Sequence, residues 1–92
     1  MNISDADRNN QVPTAAWCDD ASLHVKLADG RQIATPLWWY PSLQRATHKQ
    51  RNTLELMHTG IHWPDLDEDL SIDGMLRGWK APNAHPPAIA AE

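Results

Sequence analysis

Ile61-His62-Trp63-Pro64-Asp65-Leu66-Asp67-Glu68-Asp69-Leu70-Ser71-Ile72-Asp73-Gly74-Met75-Leu76 passes from strand chemistry to helix chemistry within sixteen residues. Ile61-His62-Trp63, entered through Gly60 as a turn or bulge, reads as a short strand. Pro64 stops it, because proline brings no N–H to a ladder. Further on, Ser71 stands where a helix cap belongs. Ile72, Met75, Leu76 and Trp79 then fall at i, i+3, i+4 and i+7, one apolar stripe. Asp67, Glu68 and Asp69 sit just ahead of that helix, where negative charge favours the positive end of the dipole. Gly78 suits the helix end and Pro82 lies beyond it. Strand and helix in close succession predict an α+β domain.

Upstream, Leu23, Val25 and Leu27 alternate with His24 and Lys26, the period of a half-buried strand. Thr14 to Cys18 is a strand before it, joined by a turn at Asp19-Asp20-Ala21. Asp29-Gly30 marks a second hairpin, with Arg31 to Leu37 returning. A two-residue loop would set Lys26 opposite Ile33 and turn Ile33 to the polar face. A three-residue loop of Ala28-Asp29-Gly30 sets Val25 opposite Ile33 and Leu23 opposite Thr35, which keeps the apolar set together. It also leaves Gly30 at the left-handed position, where only glycine is comfortable. The three-residue loop is the expected one. Pro41 opens a short helix through Ser42-Leu43-Gln44-Arg45-Ala46. Thr47 with Gln50 forms a capping box for a helical turn at His48 to Arg51. Thr53 to Met57 reads as a strand. The expectation is a small, mostly antiparallel sheet of three or four strands with two or three short helices. The folded unit spans 12–80, residues 1–11 form a flexible N-terminus, and 81–92 form a proline-rich flexible tail.

Ninety-two residues make one domain, with a net stability of roughly 5–10 kcal/mol. A domain this small gains from partners, so a homodimer or a hetero-complex is expected. Eight Lys+Arg against twelve Asp+Glu give a net charge of −4. That balance argues against direct binding of nucleic acid, which calls for a basic face. Cys18 is the single cysteine, so no intrachain disulfide forms. The polar start lacks the apolar stretch of a signal peptide, and no apolar run approaches the ~20 residues of a membrane span. A cytoplasmic protein is expected. Phenylalanine is absent, so the large aromatic surface rests mainly on five tryptophans.

Several blocks together resemble a bacterial family of small α+β proteins of unknown function. They are Leu23-His24-Val25-Lys26-Leu27-Ala28-Asp29-Gly30, Pro36-Leu37-Trp38-Trp39-Tyr40-Pro41-Ser42-Leu43, Arg45-Ala46-Thr47, Gln50-Arg51 and the run from Gly60 to Ile72. The resemblance covers roughly Trp17 to Gly78. It implies a three- or four-stranded sheet with short helices, and genes often paired with a second small protein in arrangements like toxin–antitoxin modules. Some relatives carry an added C-terminal helix-turn-helix domain. This sequence has only the proline-rich tail after Gly78, which puts operator binding in doubt. The resemblance brings no catalytic residues.

Asp65-x-Asp67-Glu68-Asp69 invites a calcium-loop reading, but the sixth and twelfth positions, where such a loop needs Gly and Glu, hold Leu70 and Leu76. No metal is expected. As a block with no nearby base, Asp65, Asp67, Glu68, Asp69 and Asp73 suit a contact patch for a basic partner, steering encounter. His62 reads as a histidine packed or hydrogen-bonded at the sheet surface. Cys18, beside Asp19 and Asp20, reads as a half-buried small residue, since nearby anions disfavour a thiolate. Arg45, Lys49 and Arg51 form the basic cluster, read as a solvated helix face. Trp38, Trp39 and Tyr40 lie between two prolines. If the segment is extended, at least one ring points away from the core, and such a ring is an interface anchor. The alternative is that all three close a core lacking phenylalanine.

No nucleophile–base pair, phosphate loop or metal constellation stands out, so no enzyme and no cofactor are expected. The expected function is a non-catalytic protein-binding module. It is antitoxin-like, occluding a small toxin with Trp38, Trp39 and Tyr40 as anchors and the acidic block as charge complement. The alternative is an acidic inhibitor, for example phage-borne, presenting carboxylates where phosphates would sit on a nucleic-acid-binding complex.

Overall fold

A computed structural model describes residues 11–87. The chain is α+β. Six strands form two separate three-stranded antiparallel sheets, where a single sheet of three or four was expected from the sequence.

The first sheet holds β1 (Pro13–Cys18), β2 (Ser22–Leu27) and β3 (Gln32–Pro36), in that order. Val25 lies opposite Ile33 and Leu23 opposite Thr35, the register that the three-residue loop requires. Leu27 N–H donates to Arg31 O at 2.8 Å across that loop, and Gly30 takes a φ of 95°. Leu23, Val25 and Leu27 are all buried, so the alternating side of β2 is the inner face. Each such side chain stabilises the fold by about 1.5–3 kcal/mol through burial. At the first turn, the Asp19 carboxylate accepts from Ala21 and Ser22 N–H, and meets His24 Nε2 at 2.7 Å.

Pro36 ends β3, and the next residues do not stay extended. Leu37–Trp39 form a single 3₁₀ turn. Such a turn stacks i over i+3, and it sends Leu37 and Tyr40 into the core together. Two one-turn helices follow: α1 (Pro41–Gln44), with proline at its start, and α2 (His48–Arg51), closed by the Thr47/Gln50 capping box. This run carries the chain away from β3, so the later strands build a sheet of their own.

That second sheet has the order β4 (Glu55–Leu56), β5 (Gly60–Trp63), β6 (Glu68–Ser71). The acidic block does sit just ahead of the last helix, as expected, but as a turn and a strand and not as a loop or helix start. Glu68 and Asp69 lie on a strand paired with β5, after a four-residue turn at Pro64–Asp67 in which Asp67 has a φ of 51°. Helix α3 (Ile72–Arg77) starts where expected, with the Ser71 hydroxyl accepting from Gly74 N–H. It is only six residues long. Gly78, at φ 80°, ends it: Gly78 N–H donates to Met75 O and Trp79 N–H to Gly74 O. This early end breaks the expected stripe. Ile72 and Met75 are core, whereas Leu76 is exposed and Trp79 leaves the helix axis altogether.

The core joins both sheets: Leu23, Val25 and Leu27 meet Leu37, Tyr40, Leu43, Ile61, Trp63, Ile72 and Met75. Two residues after α1 hold the halves together. Arg51 donates from its guanidinium to Leu43 O and Gln44 O, and accepts the Trp63 indole N–H on its own carbonyl at 2.8 Å. Asn52 accepts Cys18 N–H and donates to Cys18 O. Arg51 thus serves the fold, and not the solvated face read from the sequence. Among the described residues no helix is long and apolar enough to cross a membrane. Residues 81–87 form neither helix nor strand, and Ala81 N–H donates to Trp39 O at 2.9 Å. Of the flexible segments expected at 1–11 and 81–92, residues 1–10 and 88–92 lie outside the described residues.

Candidate functional site

Because Gly78 turns the chain back, residues 79–82 run alongside β6 and leave a groove between. Its volume is about 280 Å³, enough for one or two large side chains. Tyr40, Leu70 and Met75 supply its apolar lining, Glu68 and Asp69 its acidic edge, and Trp79 and Lys80 the opposite wall. Trp79 is 61% exposed, the largest exposed aromatic surface among the described residues.

The three aromatics singled out in the sequence play three different parts. Tyr40 is 3% exposed and donates its hydroxyl to Thr35 Oγ1 at 3.0 Å. Burial pushes its phenol above the ordinary range, with the Thr35 bond opposing and Glu68 adding. It is a core residue and not an exposed anchor. Trp39 is half-buried, edge-on to Tyr40, with Lys80 Nζ 4.5 Å from its ring centroid. Its carbonyl takes the Ala81 N–H, so Trp39 fastens the wall of the groove. Trp38, edge-on to Trp39, is likewise half-buried. The sequence reading passed over Trp79 as the end of a helical stripe. The signal that places it outside the helix is Gly78, one residue earlier.

The acidic residues also divide. Glu68 is half-buried and accepts the Ser42 hydroxyl. Asp69 is largely exposed and meets His62 Nδ1 at 2.7 Å across the β5–β6 pair. Asp65 and Asp67 are exposed in the turn beside them. Asp73 lies on α3, paired with Arg77 Nε at 2.8 Å. The block is thus not free of bases: His62 and Arg77 each occupy one carboxylate. Tyr40, Glu68 and Asp69 share the groove, whereas Asp65, Asp67, Asp73, Trp38 and Trp39 do not line it.

His62 is a surface histidine held by hydrogen bonding, as expected. Cys18 is buried, and burial pushes its thiol up to about 11, with Arg51 opposing and Asp19 adding. A thiol so placed is a poor nucleophile at neutral pH. Among the described residues no three His, Cys, Asp or Glu side chains gather as metal ligands would.

The model of one protein family, a protein family of unknown function (DUF2442), matches residues 13–81, which include both sheets and the inner wall of the groove. The chain belongs to this family. The fold is similar to that of two solved structures. One is a protein of unknown function from Rhodospirillum rubrum, 30% identical, covering 79% of this chain and 93% of its own, with a TM-score of 0.69. The other is an uncharacterized protein from Chromobacterium violaceum, 19% identical, covering 88% of this chain and 78% of its own, with a TM-score of 0.72. At that identity the second speaks for the fold alone. No curated protein matches the chain. Within this DUF2442 domain the groove beside β6 is the place where exposed aromatic surface and carboxylates meet.

Proposed function

We propose that this chain is a non-catalytic protein-binding module, the antitoxin-like member of a two-protein pair, acting by occlusion. The observation that carries the reading is the exposed Trp79 on a groove edged by Glu68 and Asp69. Tryptophan on a partly apolar cleft is the composition of interface anchors, and an acidic edge adds steering toward a basic partner. Trp79 takes the anchoring part first assigned to Tyr40, with the half-buried Trp38 as a second aromatic contact. The gene pairing that the family resemblance implies supports the antitoxin-like part of the proposal. In the second reading the chain is an acidic inhibitor of a nucleic-acid-binding complex. The exposed carboxylates of Asp65, Asp67 and Asp69 on one hairpin favour it.

The test is capture of the tagged chain from its native host at low salt, with identification of stoichiometric partners. A small protein from the neighbouring gene is the expected result. A nucleic-acid-processing complex, released by competing DNA or RNA, would move the assignment to the inhibitor. Recovery of the chain alone would overturn both. Glu68→Gln with Asp69→Asn should slow association and weaken its salt dependence. Unchanged salt dependence would remove the acidic edge from the mechanism.

A further inference from the structure

Strand β6 is one of the two outer strands of the second sheet: it pairs with β5 and, among the described residues, with no strand on its other side. The direction of its backbone groups follows from one bond. Ile72 N–H donates to Thr59 O at 2.9 Å, with Ser71 opposite Gly60. In an antiparallel ladder this makes Gly60–Ser71 a pair without direct bonds, so Ile61–Leu70 and Trp63–Glu68 are the bonded pairs. The N–H groups of Asp69 and Ser71, and the C=O of Asp69, therefore point away from β5. All four residues of β6 line the groove, with Trp79 and Lys80 across it.

Resting on the protein-binding reading, we infer that β6 is a receptor edge: an extended, basic segment of a partner protein adds to it as a further strand and lays a side chain in the groove against Trp79. Strand addition draws affinity from main-chain bonds and selectivity from pockets that take alternate side chains. The edge presents the first and the groove the second. Charge fixes the occupant. Glu68 and Asp69 lie on the edge itself, and Asp65 and Asp67 lie in the turn before it. Of the nearby bases, His62 is on Asp69, and Arg77 is on Asp73 with its guanidinium also over the Trp79 ring. Lys80, over Trp39 and on Gly78 O, keeps its charge on the far wall, so the segment's basic side chains face the Glu68 and Asp69 side and an apolar one faces Trp79. A second copy of this chain fits poorly, since two β6 edges side by side would double the same carboxylates, and like charges on facing strands repel. A segment carrying lysine or arginine at alternate positions meets carboxylates instead.

The probe is a blocked hexapeptide alternating lysine and valine, titrated into the ¹⁵N-labelled full chain, with a glutamate–valine hexapeptide as control. The expected result is shifts at the Asp69 and Ser71 amides and the Trp79 indole with the lysine peptide, and at least ten-fold weaker binding of the control. Asp69→Pro removes one outward N–H and leaves the bonds to β5 in place, as proline permits on a strand edge. It should weaken the lysine peptide at least ten-fold, while Asp69→Asn, which keeps that N–H, should cost only a few-fold. Slower exchange of the Ser71 amide in the bound wild-type chain reads the same contact without any substitution. Equal binding by the two variants with unchanged Ser71 exchange would show charge attraction alone and overturn the strand addition. Failure of the lysine peptide, with the captured partner still bound, would overturn it too and leave the protein-binding reading standing.

Discussion

The two sheets are built from the same number of strands and differ in construction. In the first, strands of five or six residues are joined by tight turns, and β2 alternates with a buried side that is apolar throughout. In the second, strands of two to four residues carry charge, and the outer strand opens on a groove. The first has the construction of a scaffold. Both sheets end in outer strands, but in the second the outer strand β6 carries carboxylates and faces a groove, at an edge of the kind that proteins ordinarily protect with charge or cover. This difference supports β6 as the proposed binding surface: it has exchanged apolar alternation for carboxylates beside a groove.

If the halves are distinct, breaking their junction should cost most. Trp63 is wholly buried on β5 and reaches across to Arg51 O through its indole N–H. Trp63→Ala removes the largest fully buried side chain and that bond. The expected loss is about 3–5 kcal/mol, in line with large-to-small changes in cores. Urea unfolding measures it. A loss under about 1 kcal/mol would mean that the second half contributes little to the common core.

Gly60→Ala probes the second sheet by itself. A Cβ there would sit 2.7 Å from Leu70 O, a backbone atom of the neighbouring strand that cannot swing aside. The β5–β6 pair must shift, at an expected cost of about 1–3 kcal/mol, as for other overpacked sites. Amide spectra should show changes concentrated at β5, β6 and Trp79, with β1 to β3 nearly unmoved. Changes spread evenly over both sheets would contradict the division.

Much of the first sheet was legible in the sequence because a single constraint decides it. A period-two strand with one buried face leaves no freedom of register, and the loop at Ala28-Asp29-Gly30 fits only one choice. The Thr47/Gln50 cap and the Ser71 cap were legible because each is local. The second sheet was not, because β6 has no signature of a strand. Glu68-Asp69-Leu70-Ser71 lacks β-branched and aromatic residues, and its charges suit a helix start equally well. Its pairing with β5 is made by the turn at 64–67, in which Asp67 takes a positive φ that its residue type does not announce, and by Leu70 lying opposite Ile61. The groove was legible only in parts. Glu68, Asp69 and Tyr40 were singled out, but Trp79 depends on where α3 stops.

Asn52 joins the sheets from the other end. Its side chain answers both backbone groups of Cys18 on β1, and Asn52→Ala leaves them to water or to no partner. Asn52 itself is exposed, so water can replace part of the loss. The expected cost is about 1 kcal/mol. A labelling experiment sharpens it. The Cys18 thiol, buried and raised to about 11, should react with a thiol reagent only on opening, and faster in the variant. An equal labelling rate would place the Asn52 bonds outside the opening step.

The smallest effect separates the sheets by pH. Asp19, in the first turn of the first sheet, is held at about 2 instead of the ordinary 3.8. The Ala21 N–H contributes most, followed by the His24 side chain and the Ser22 N–H. A carboxylate lowered by folding stabilises the folded state fully above its unfolded value, and that contribution disappears as pH falls through the folded one. The window therefore runs from about pH 4 down to about pH 2. Asp19→Asn cannot titrate, so the difference in melting temperature between wild type and variant should shrink across that window. Asp29, whose carboxylate is also held low, chiefly by the Arg31 N–H, sits in the other turn of the same sheet and provides the matching control. If the wild type and Asp19→Asn lose stability in parallel from pH 4 to 2, the acid response lies elsewhere, and the turn is held by its backbone geometry and not by its charge.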